Sequence, residues 1–154
     1  MVSRRGRRGG FTLPELLAVL AVVAVLGAMA APAYSSLVAT MRARSISSDL
    51  YASLARTRSE AIKRNTPVSL EPASSGKWQD GWSIPDPEDA DRKLDDHGAI
   101  PGASVSGPLS VVYLPNGRVK GAAQPTFTIS VSGMEERRCV AIDLGGRPNQ
   151  STGC

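Results

Sequence analysis

Few residues in this 154-residue chain could do chemistry, and its two cysteines are the most informative of them. Cys139 and Cys154 both lie in the last sixteen residues. In an exported protein such a pair predicts one disulfide that holds down the C-terminal tail, worth about 3 kcal/mol in the chain-entropy description. In a cytosolic protein the same residues would be two free thiols. The prediction therefore depends on whether the chain is exported.

The other residue types that catalyse reactions or bind metals do not form a recognisable site. His97 is the only histidine and has no neighbouring nucleophile in the sequence, so the chain is not expected to be an enzyme. Two cysteines and one histidine are also too few for the four ligands of a structural zinc site. We therefore predict no cofactor and no metal.

An acidic stretch raises the alternative of a calcium site, because carboxylates in a flexible loop suit that ion. Its members are Asp86, Glu88, Asp89, Asp91, Asp95 and Asp96. Their spacing does not follow the EF-hand order, and Arg92 and Lys93 interrupt the run. We expect the segment from Pro85 to Pro101 to be an exposed, solvated loop without a metal.

Basic residues in the C-terminal half raise a nucleic-acid hypothesis. Five of them could form one basic patch: Arg118, Lys120, Arg137, Arg138 and Arg147. They could instead pack along a sheet edge or pair with Glu135 and Glu136. The net charge of +4 does not decide the matter, because four of the eighteen basic residues lie in the first ten positions. The rest of the chain carries fourteen basic and fourteen acidic residues.

Charge is unevenly distributed along that remainder. Residues 65–96 carry eight acidic and three basic groups, whereas residues 11–64 and 97–154 are each net basic. Opposite charges on different parts of one chain favour contacts between subunits over a uniform surface for binding polyanions.

The elements that must position these residues begin with an apolar segment. Residues 11–31 contain one ionisable side chain, Glu15, and a helix of this length, at about 1.5 Å per residue, spans one hydrocarbon core. The arginines before it predict a cytoplasmic N-terminus and an exported remainder. The alternative is a secretory signal cleaved at Ala28-Met29-Ala30. The long apolar run from Leu16 to Ala31 and the carboxylate of Glu15 favour a membrane anchor.

The helix is predicted to continue to Arg64, where Asn65 and Pro67 end it. Its buried face is predicted to hold Ile46, Leu50, Leu54 and Ala61, with Leu37 and Ile62 near the same stripe. Six strands are then predicted: Val68 to Glu71, Gly81 to Ile84, Ala103 to Val105, Leu109 to Leu114, Thr126 to Ser132 and Arg138 to Leu144. Asn116-Gly117 predicts a hairpin turn.

The segment Gly10-Phe11-Thr12-Leu13-Pro14-Glu15 resembles the processing site of type IV prepilins and type II secretion pseudopilins. Two further segments are similar to a narrower group, the GspH/FimT minor pseudopilins: the run from Ala55 to Asn65 followed by Pro67-Val68, and Trp78-Gln79-Asp80-Gly81-Trp82. The resemblance implies an α+β fold, a pilin-like lollipop in which one long N-terminal helix packs on a small antiparallel β-sheet head. Its parts would be a leader (1–10), a transmembrane helix (11–31), the periplasmic half of the helix (32–66) and the head (67–154).

The resemblance also implies roles for residues near the N-terminus. A prepilin peptidase would cut after Gly10 and methylate the amino group of Phe11. Glu15 would then pair with the N-terminal amine of a neighbouring subunit. Two opposite charges in a low-dielectric medium compensate each other's cost of burial only when the two subunits are aligned in register. Pro14 and Pro32 would bend or loosen the helix.

The partners implied are other pilins or pseudopilins, the prepilin peptidase and an inner-membrane assembly platform. The protein would be a single-pass inner-membrane protein with a periplasmic head, serving protein secretion or pilus biogenesis. A DNA-binding minor pilin for natural transformation is the alternative, since some FimT-type pilins take up DNA through a tail with a Gly-Arg-any-Arg pattern. This chain keeps Gly146-Arg147 but has Asn149 where the second arginine would stand.

Overall fold

The structure, a computed structural model, describes residues 11–134 and 136–154. Within these described residues, one helix, α1 (Leu13–Arg64), is followed by eight strands: β1 (Val68–Ser74), β2 (Lys77–Asp86), β3 (Asp89–His97), β4 (Ala103–Ser106), β5 (Val111–Tyr113), β6 (Thr126–Val131), β7 (Arg138–Ile142) and β8 (Pro148–Thr152). The chain divides into two compact units, the first ending at Ser35 and the second running from Ser36 to Cys154. The α+β fold class predicted from the sequence is confirmed.

The described part of the first unit is helical and apolar. Its side chains from Phe11 to Met29 are exposed, and α1 contains an 18-residue window with a mean hydropathy of 2.5, long and apolar enough to cross a membrane. Pro14 lies in the first turn, where a residue without an N–H costs little. The helix is uninterrupted at position 32, so a bend at Pro32 stays a prediction.

In the second unit, α1 buries one face. The predicted face is confirmed, because Ile46, Leu50, Leu54 and Ala61 are all buried. Small side chains share it: Ala39, Ala43, Ser47, Ser53 and Thr57. The prediction for Leu37 and Ile62 is wrong, since they are 51 % and 49 % exposed. Successive residues are rotated by about 100° around a helix axis, so Leu37 and Ile62 lie outside the buried stripe that contains Ala39 and Ala61.

Asn65 ends the helix as expected. Its φ of 50° is the left-handed conformation common just after a helix, and the amide of Thr66 donates to the carbonyl of Ala61. Pro67 follows and cannot continue the ladder of helical hydrogen bonds.

The strands form two antiparallel sheets where one was predicted. The first has the order β3-β2-β1-β5 and the second β4-β6-β7-β8. The predicted alternation in β6 is confirmed, since Phe127, Ile129 and Val131 are buried. The Asn116-Gly117 turn is also found: the amide of Gly117 donates to the carbonyl of Leu114, and Gly117 has a φ of 76°.

Two strands, β3 and β8, were not predicted from the sequence. The predicted loop from Pro85 to Pro101 contains the end of β2 and all of β3, which pairs with β2 from Trp82 opposite His97 to Asp86 opposite Asp89. The C-terminal tail contains β8, paired with β7 from Arg138 opposite Thr152 to Ile142 opposite Pro148. Both lie at sheet edges and carry mostly polar side chains, so they lack the apolar alternation that marks a half-buried strand.

The core joins α1 to both sheets through aromatic side chains. Trp78 packs edge-on against Phe127, with 4.8 Å between ring centroids, and its indole N–H donates to the carbonyl of Pro108 at 2.7 Å. Trp82 donates to Ser53 Oγ of α1 at 2.9 Å. Gly81, between them, has a φ of 103°, and a Cβ there would collide with the carbonyl oxygen of His97. The segment from Trp78 to Trp82 is therefore a packing motif. Its tryptophans fill the core, and Gly81 leaves room for β3 to pair beside it.

Candidate assembly surfaces

The residues predicted to act in processing and assembly lie at the N-terminus. Gly10 falls outside the described residues. Phe11 is 83 % exposed, and Glu15 lies in the first turn of α1, with its Oε2 atom 3.5 Å from the amide nitrogen of Thr12. A carboxylate in the first turn is favoured by the helix dipole. The roles of these residues remain predictions.

The two cysteines form a disulfide in the structure, the pairing predicted for an exported chain. Cys139 lies in β7, buried and opposite Ser151 of β8, while Cys154 lies two residues beyond β8. Their Cα atoms are 5.7 Å apart. The bond therefore ties the C-terminal edge strand to β7, and Gln150 of β8 donates to the carbonyl of Ser47 in α1 at 3.3 Å.

The acidic stretch is part of the β2–β3 hairpin and not a solvated loop. Asp86 at the end of β2 is buried, and one of its oxygens accepts a hydrogen bond from Arg64 at 3.1 Å. Arg92 lies 3.3 Å from the other oxygen. Arg64 also donates to Glu60 at 2.9 Å, and this hydrogen bond lowers the pKa of Glu60 below its ordinary value. The pairs fasten the end of α1 to the hairpin.

His97 is the last residue of β3, in the same hairpin. Its ring stacks on Trp82, with 4.0 Å between centroids and 11° between planes, and its Nε2 atom lies 3.6 Å from an oxygen of Asp49. Within residues 11–134 and 136–154, no three His, Cys, Asp or Glu side chains are grouped so that they could hold a metal ion. His97 is therefore placed to pack the end of β3 onto the core.

The structure brings together only part of the predicted basic patch. Arg118 donates from Nε to the carbonyl of Leu144 at 3.3 Å, and the amide of Arg147 donates to Asp143 at 2.8 Å in the adjoining turn. A Cβ at Gly146 would meet the backbone of Gly117, so the 117–118 and 143–147 turns are in contact. Arg118 and Arg147 consequently share one end of the head.

Sequence reasoning missed a third arginine at this place. Arg58 of α1 donates to the carbonyls of Gly117 and Gly145, at 2.9 and 3.3 Å, and lines a depression of about 350 Å³ together with Arg147. We call Arg58, Arg118 and Arg147 the arginine cluster. Nothing in the sequence around Arg58 indicates this contact, because its partners Gly117 and Gly145 are 59 and 87 positions away.

Two of the other predicted basic residues lie elsewhere, while Lys120 is two residues beyond Arg118. Arg137 and Arg138 are at the beginning of β7, the end opposite the 143–147 turn. Arg138 lines a second depression, of about 340 Å³, with Arg44 and Glu136. Lys120 follows the turn of β5, and its amide donates to the carbonyl of Val112. The five residues therefore do not form one patch, because Arg137 and Arg138 lie at the other end of β7.

Comparison with known proteins gives two family matches. The family described as Type II transport protein GspH matches residues 47–146, and the Prokaryotic N-terminal methylation motif matches residues 5–31. The first match covers the C-terminal part of α1 and most of the strands, and the second covers the apolar segment with the residues before it.

Two solved structures share the fold. The type IV minor pilin FimU of Pseudomonas aeruginosa superimposes with a TM-score of 0.62 at 22 % identity, over 70 % of this chain and 91 % of that chain. The minor pseudopilin EpsH from the Type 2 Secretion System of Vibrio cholerae gives a TM-score of 0.55 at 15 % identity, over 71 % and 96 %. At these identities the likeness concerns the fold alone.

A curated relative is similar in sequence over a shorter stretch. The Type IV major alpha-pilin of Moraxella bovis is 34 % identical over 68 residues, which are 44 % of this chain and 43 % of that protein. The match thus spans less than half of the relative.

Proposed function

Because the chain belongs to the Type II transport protein GspH family, we propose that it is a non-enzymatic minor pilin or pseudopilin subunit, built into a periplasmic fibre. The observation that carries the proposal is the helix α1. One 52-residue element joins an exposed apolar segment, which matches the N-terminal methylation motif, to a buried face on which both sheets pack. Such a helix suits a subunit that is first anchored in a membrane and then packed beside its neighbours.

The proposed path begins with processing. Prepilin peptidase removes residues 1–10 by cutting after Gly10 and methylates Phe11. Residues 11–31 cross the inner membrane, with the N-terminus cytoplasmic, and residues 32–66 and 67–154 form the helical and β-rich parts of a periplasmic head. The exposure of every described side chain from Phe11 to Met29 supports this division, because an apolar helix without protein neighbours is stable in lipid.

The proposed destination is a fibre of a type II secretion system or a type IV pilus, serving secretion or pilus biogenesis. An inner-membrane assembly platform would extract the subunit from the bilayer and stack it on other pilins or pseudopilins. Glu15 would guide that step through the N-terminal amine of the neighbouring subunit.

The first test is the chemistry of the mature N-terminus. We expect mass spectrometry of the chain from a cell with its assembly system to find an N-methylated Phe11. A Gly10→Leu variant should keep the leader, because the residue before the cut would no longer be glycine. A mature protein that begins at Ala31 would contradict the proposal and indicate a soluble secreted domain.

DNA uptake is a second candidate function, favoured by the arginine cluster, which adds Arg58 to two residues of the predicted patch. In a mobility-shift assay with duplex DNA and the detergent-extracted full chain, binding should weaken with salt. Arg147→Ala should reduce the slope of log affinity against log salt by about one, as expected for one lost phosphate contact. Arg56→Ala is the matched control, because Arg56 is paired with Asp95. A full chain that gives no shift at low salt would eliminate DNA binding.

A further inference from the structure

The second compact unit begins with apolar side chains that its own core leaves exposed. Leu37, Val38 and Met41 of α1 are 51 %, 44 % and 58 % exposed. Exposed apolar side chains on consecutive helical turns favour contact with another apolar phase. Leu37 lies six residues beyond position 31, so a chain anchored through residues 11–31 would bring this surface to the periplasmic face of the bilayer.

A polar depression lies beside these side chains. It has a volume of about 340 Å³, and its lining includes Thr40 and Arg44 of α1, Glu136, Arg138 and Thr152. Leu37 and Arg44 are seven positions apart on α1, so their side chains leave the helix in directions about 20° apart. The depression therefore has charged walls and an apolar rim.

The two arginines of this depression have no oppositely charged partner among residues 11–134 and 136–154. Neither Arg44 nor Arg138 forms an ion pair with a carboxylate in that part of the chain, and the buried Nε–H of Arg138 donates no hydrogen bond there. A buried donor without an acceptor costs free energy, which an anionic ligand would recover. Guanidinium groups bind phosphate oxygens through charge-assisted hydrogen bonds. The pair is thus suited to a phosphate group.

Glu136 adds a carboxylate to the same depression. It is exposed and, within the described part of the chain, forms no ion pair. A ligand whose only charge is a phosphate would bring that charge towards this carboxylate. A ligand with both a phosphate and a primary ammonium group would give each charged side chain a partner. The charges of the depression therefore match a zwitterionic phosphoethanolamine headgroup.

We propose that this depression binds the headgroup of one phosphatidylethanolamine molecule of the periplasmic leaflet. Arg44 and Arg138 hold the phosphate, Glu136 accepts hydrogen bonds from the ammonium group, and the acyl chains cover Leu37 and Met41. The proposal rests on the proposed membrane anchoring and adds a ligand to it. A lipid held in this way keeps the first turns of the second unit on the bilayer until the chain is extracted.

Native mass spectrometry of the detergent-extracted full chain tests which lipid is bound. The chain is titrated with phosphatidylethanolamine, phosphatidylglycerol and phosphatidylcholine that carry identical acyl chains. We expect one phosphatidylethanolamine per chain, with an affinity at least about tenfold above that for phosphatidylcholine, whose quaternary ammonium has no N–H to donate. Equal retention of the three lipids, or a preference for phosphatidylglycerol, would overturn the proposal.

A soluble headgroup distinguishes a lipid from a free phosphate ester. Glycerophosphoethanolamine has the same phosphate and ammonium groups but no acyl chains to cover the apolar rim. We expect it to compete with phosphatidylethanolamine only weakly, because it leaves that rim in water. Competition at the concentration at which the lipid itself binds would overturn the lipid assignment.

Substitutions separate the contributing groups. Arg138→Ala and Arg44→Ala should each lower the affinity for phosphatidylethanolamine at least about tenfold, the effect of losing a hydrogen bond to a charged group. Arg44 is exposed on α1, so its removal leaves the fold intact. Arg137→Ala is the matched control and should bind as the wild type does, because Arg137 is exposed and does not line the depression. Equal affinities of the Arg44→Ala and Arg137→Ala chains would contradict the site.

Glu136→Gln tests the ammonium contact. The variant keeps both arginines and should bind phosphatidylethanolamine no more tightly than phosphatidylcholine, because the carboxylate that distinguishes their ammonium groups is gone. A variant that keeps the full preference for phosphatidylethanolamine would show that Glu136 does not select the headgroup and would overturn the assignment.

These measurements need neither processing nor assembly, so the lipid site and the fibre function can fail separately. A chain that is recovered in sheared fibres but has no headgroup preference would refute the lipid site and leave the fibre function standing. A chain that binds phosphatidylethanolamine through Arg44 and Arg138 but never enters fibres would refute the fibre function and leave the lipid site.

Discussion

The Glu15→Ala variant is expected to be processed and inserted in the membrane but to be nearly absent from fibres. Glu15 is the one ionisable side chain between residues 11 and 31. Burying a carboxylate at the centre of a bilayer costs roughly 2.5 to 3.5 kcal/mol on insertion scales, and the cost falls towards the interface. In the fibre, the amine of Phe11 on a neighbour would offset that cost, and each charge would compensate the other.

Removal of one partner leaves the other charge buried and unpaired, which costs about 3 to 5 kcal/mol. Because 1.4 kcal/mol corresponds to a factor of ten, incorporation should fall by at least roughly a hundredfold. The measurement is the ratio of variant to wild-type chain in the sheared-fibre fraction, normalised to the processed chain in the membrane.

Two substitutions at the same position sharpen the test. Glu15→Gln keeps the size of the side chain without its charge and should fail as Glu15→Ala does. Glu15→Asp keeps the charge on a shorter side chain and should retain part of the incorporation. Normal incorporation of Glu15→Gln would refute the pairing of charges.

The Trp82→Ala variant is expected to lose about 3 to 5 kcal/mol of the free energy of unfolding of the unit from Ser36 to Cys154. Trp82 is 1 % exposed, stacks on His97 and donates its indole N–H to Ser53. Truncation would open a cavity between α1 and β2 and leave the buried Ser53 hydroxyl without this partner. The measurement is urea denaturation followed by the fluorescence of Trp78 or by circular dichroism.

Two further variants separate the contributions to this loss. Trp82→Phe keeps an aromatic ring against His97 but removes the donor to Ser53, so it should cost less than Trp82→Ala. Tyr51→Ala changes an aromatic residue that is 40 % exposed and should shift the midpoint much less. A Trp82→Ala chain as stable as the Tyr51→Ala chain would contradict the packing role of the motif.

Several local features were predictable because their signals lie within a few neighbouring residues. Leu50 and Leu54 are buried as the helical period requires, and Asn65 followed by Pro67 marks the end of α1. The alternation of Phe127 and Ile129 in β6 similarly identifies the face that packs inward.

β3 was not predictable because its stability as a strand does not come from its own side chains. Among the β3 residues whose burial the structure describes, Leu94 is the apolar side chain that packs against the core. The strand is held by backbone pairing with β2, by Arg56 and by the stacking of His97 on Trp82. A charged segment of this kind is predicted to be a loop when its partner strand is not known.

The arrangement of the basic residues was beyond sequence reasoning for a related reason. Arg138 is the first residue of β7 and Arg147 lies five residues beyond its last; at about 3.3 Å per residue the strand keeps its two ends well separated. Arg58, remote from both in sequence, reaches the turns that follow β5 and β7 and joins Arg118 and Arg147 there. The arginine cluster is therefore a product of the contact between α1 and two turns.

By itself the sequence determined the long helix with its apolar first part, the buried stripe of its second part, and a β-rich remainder with a hairpin turn. These follow from periodicity, turn chemistry and hydropathy, which act between neighbours in the chain. Only the tertiary structure decided that the strands form two sheets, that an acidic segment is an edge strand, and that Arg58 joins two arginines distant from it in sequence. Those outcomes depend on which backbone groups, distant in sequence, form hydrogen bonds with each other. Pairing between distant strands produces no periodic pattern in the sequence of either strand.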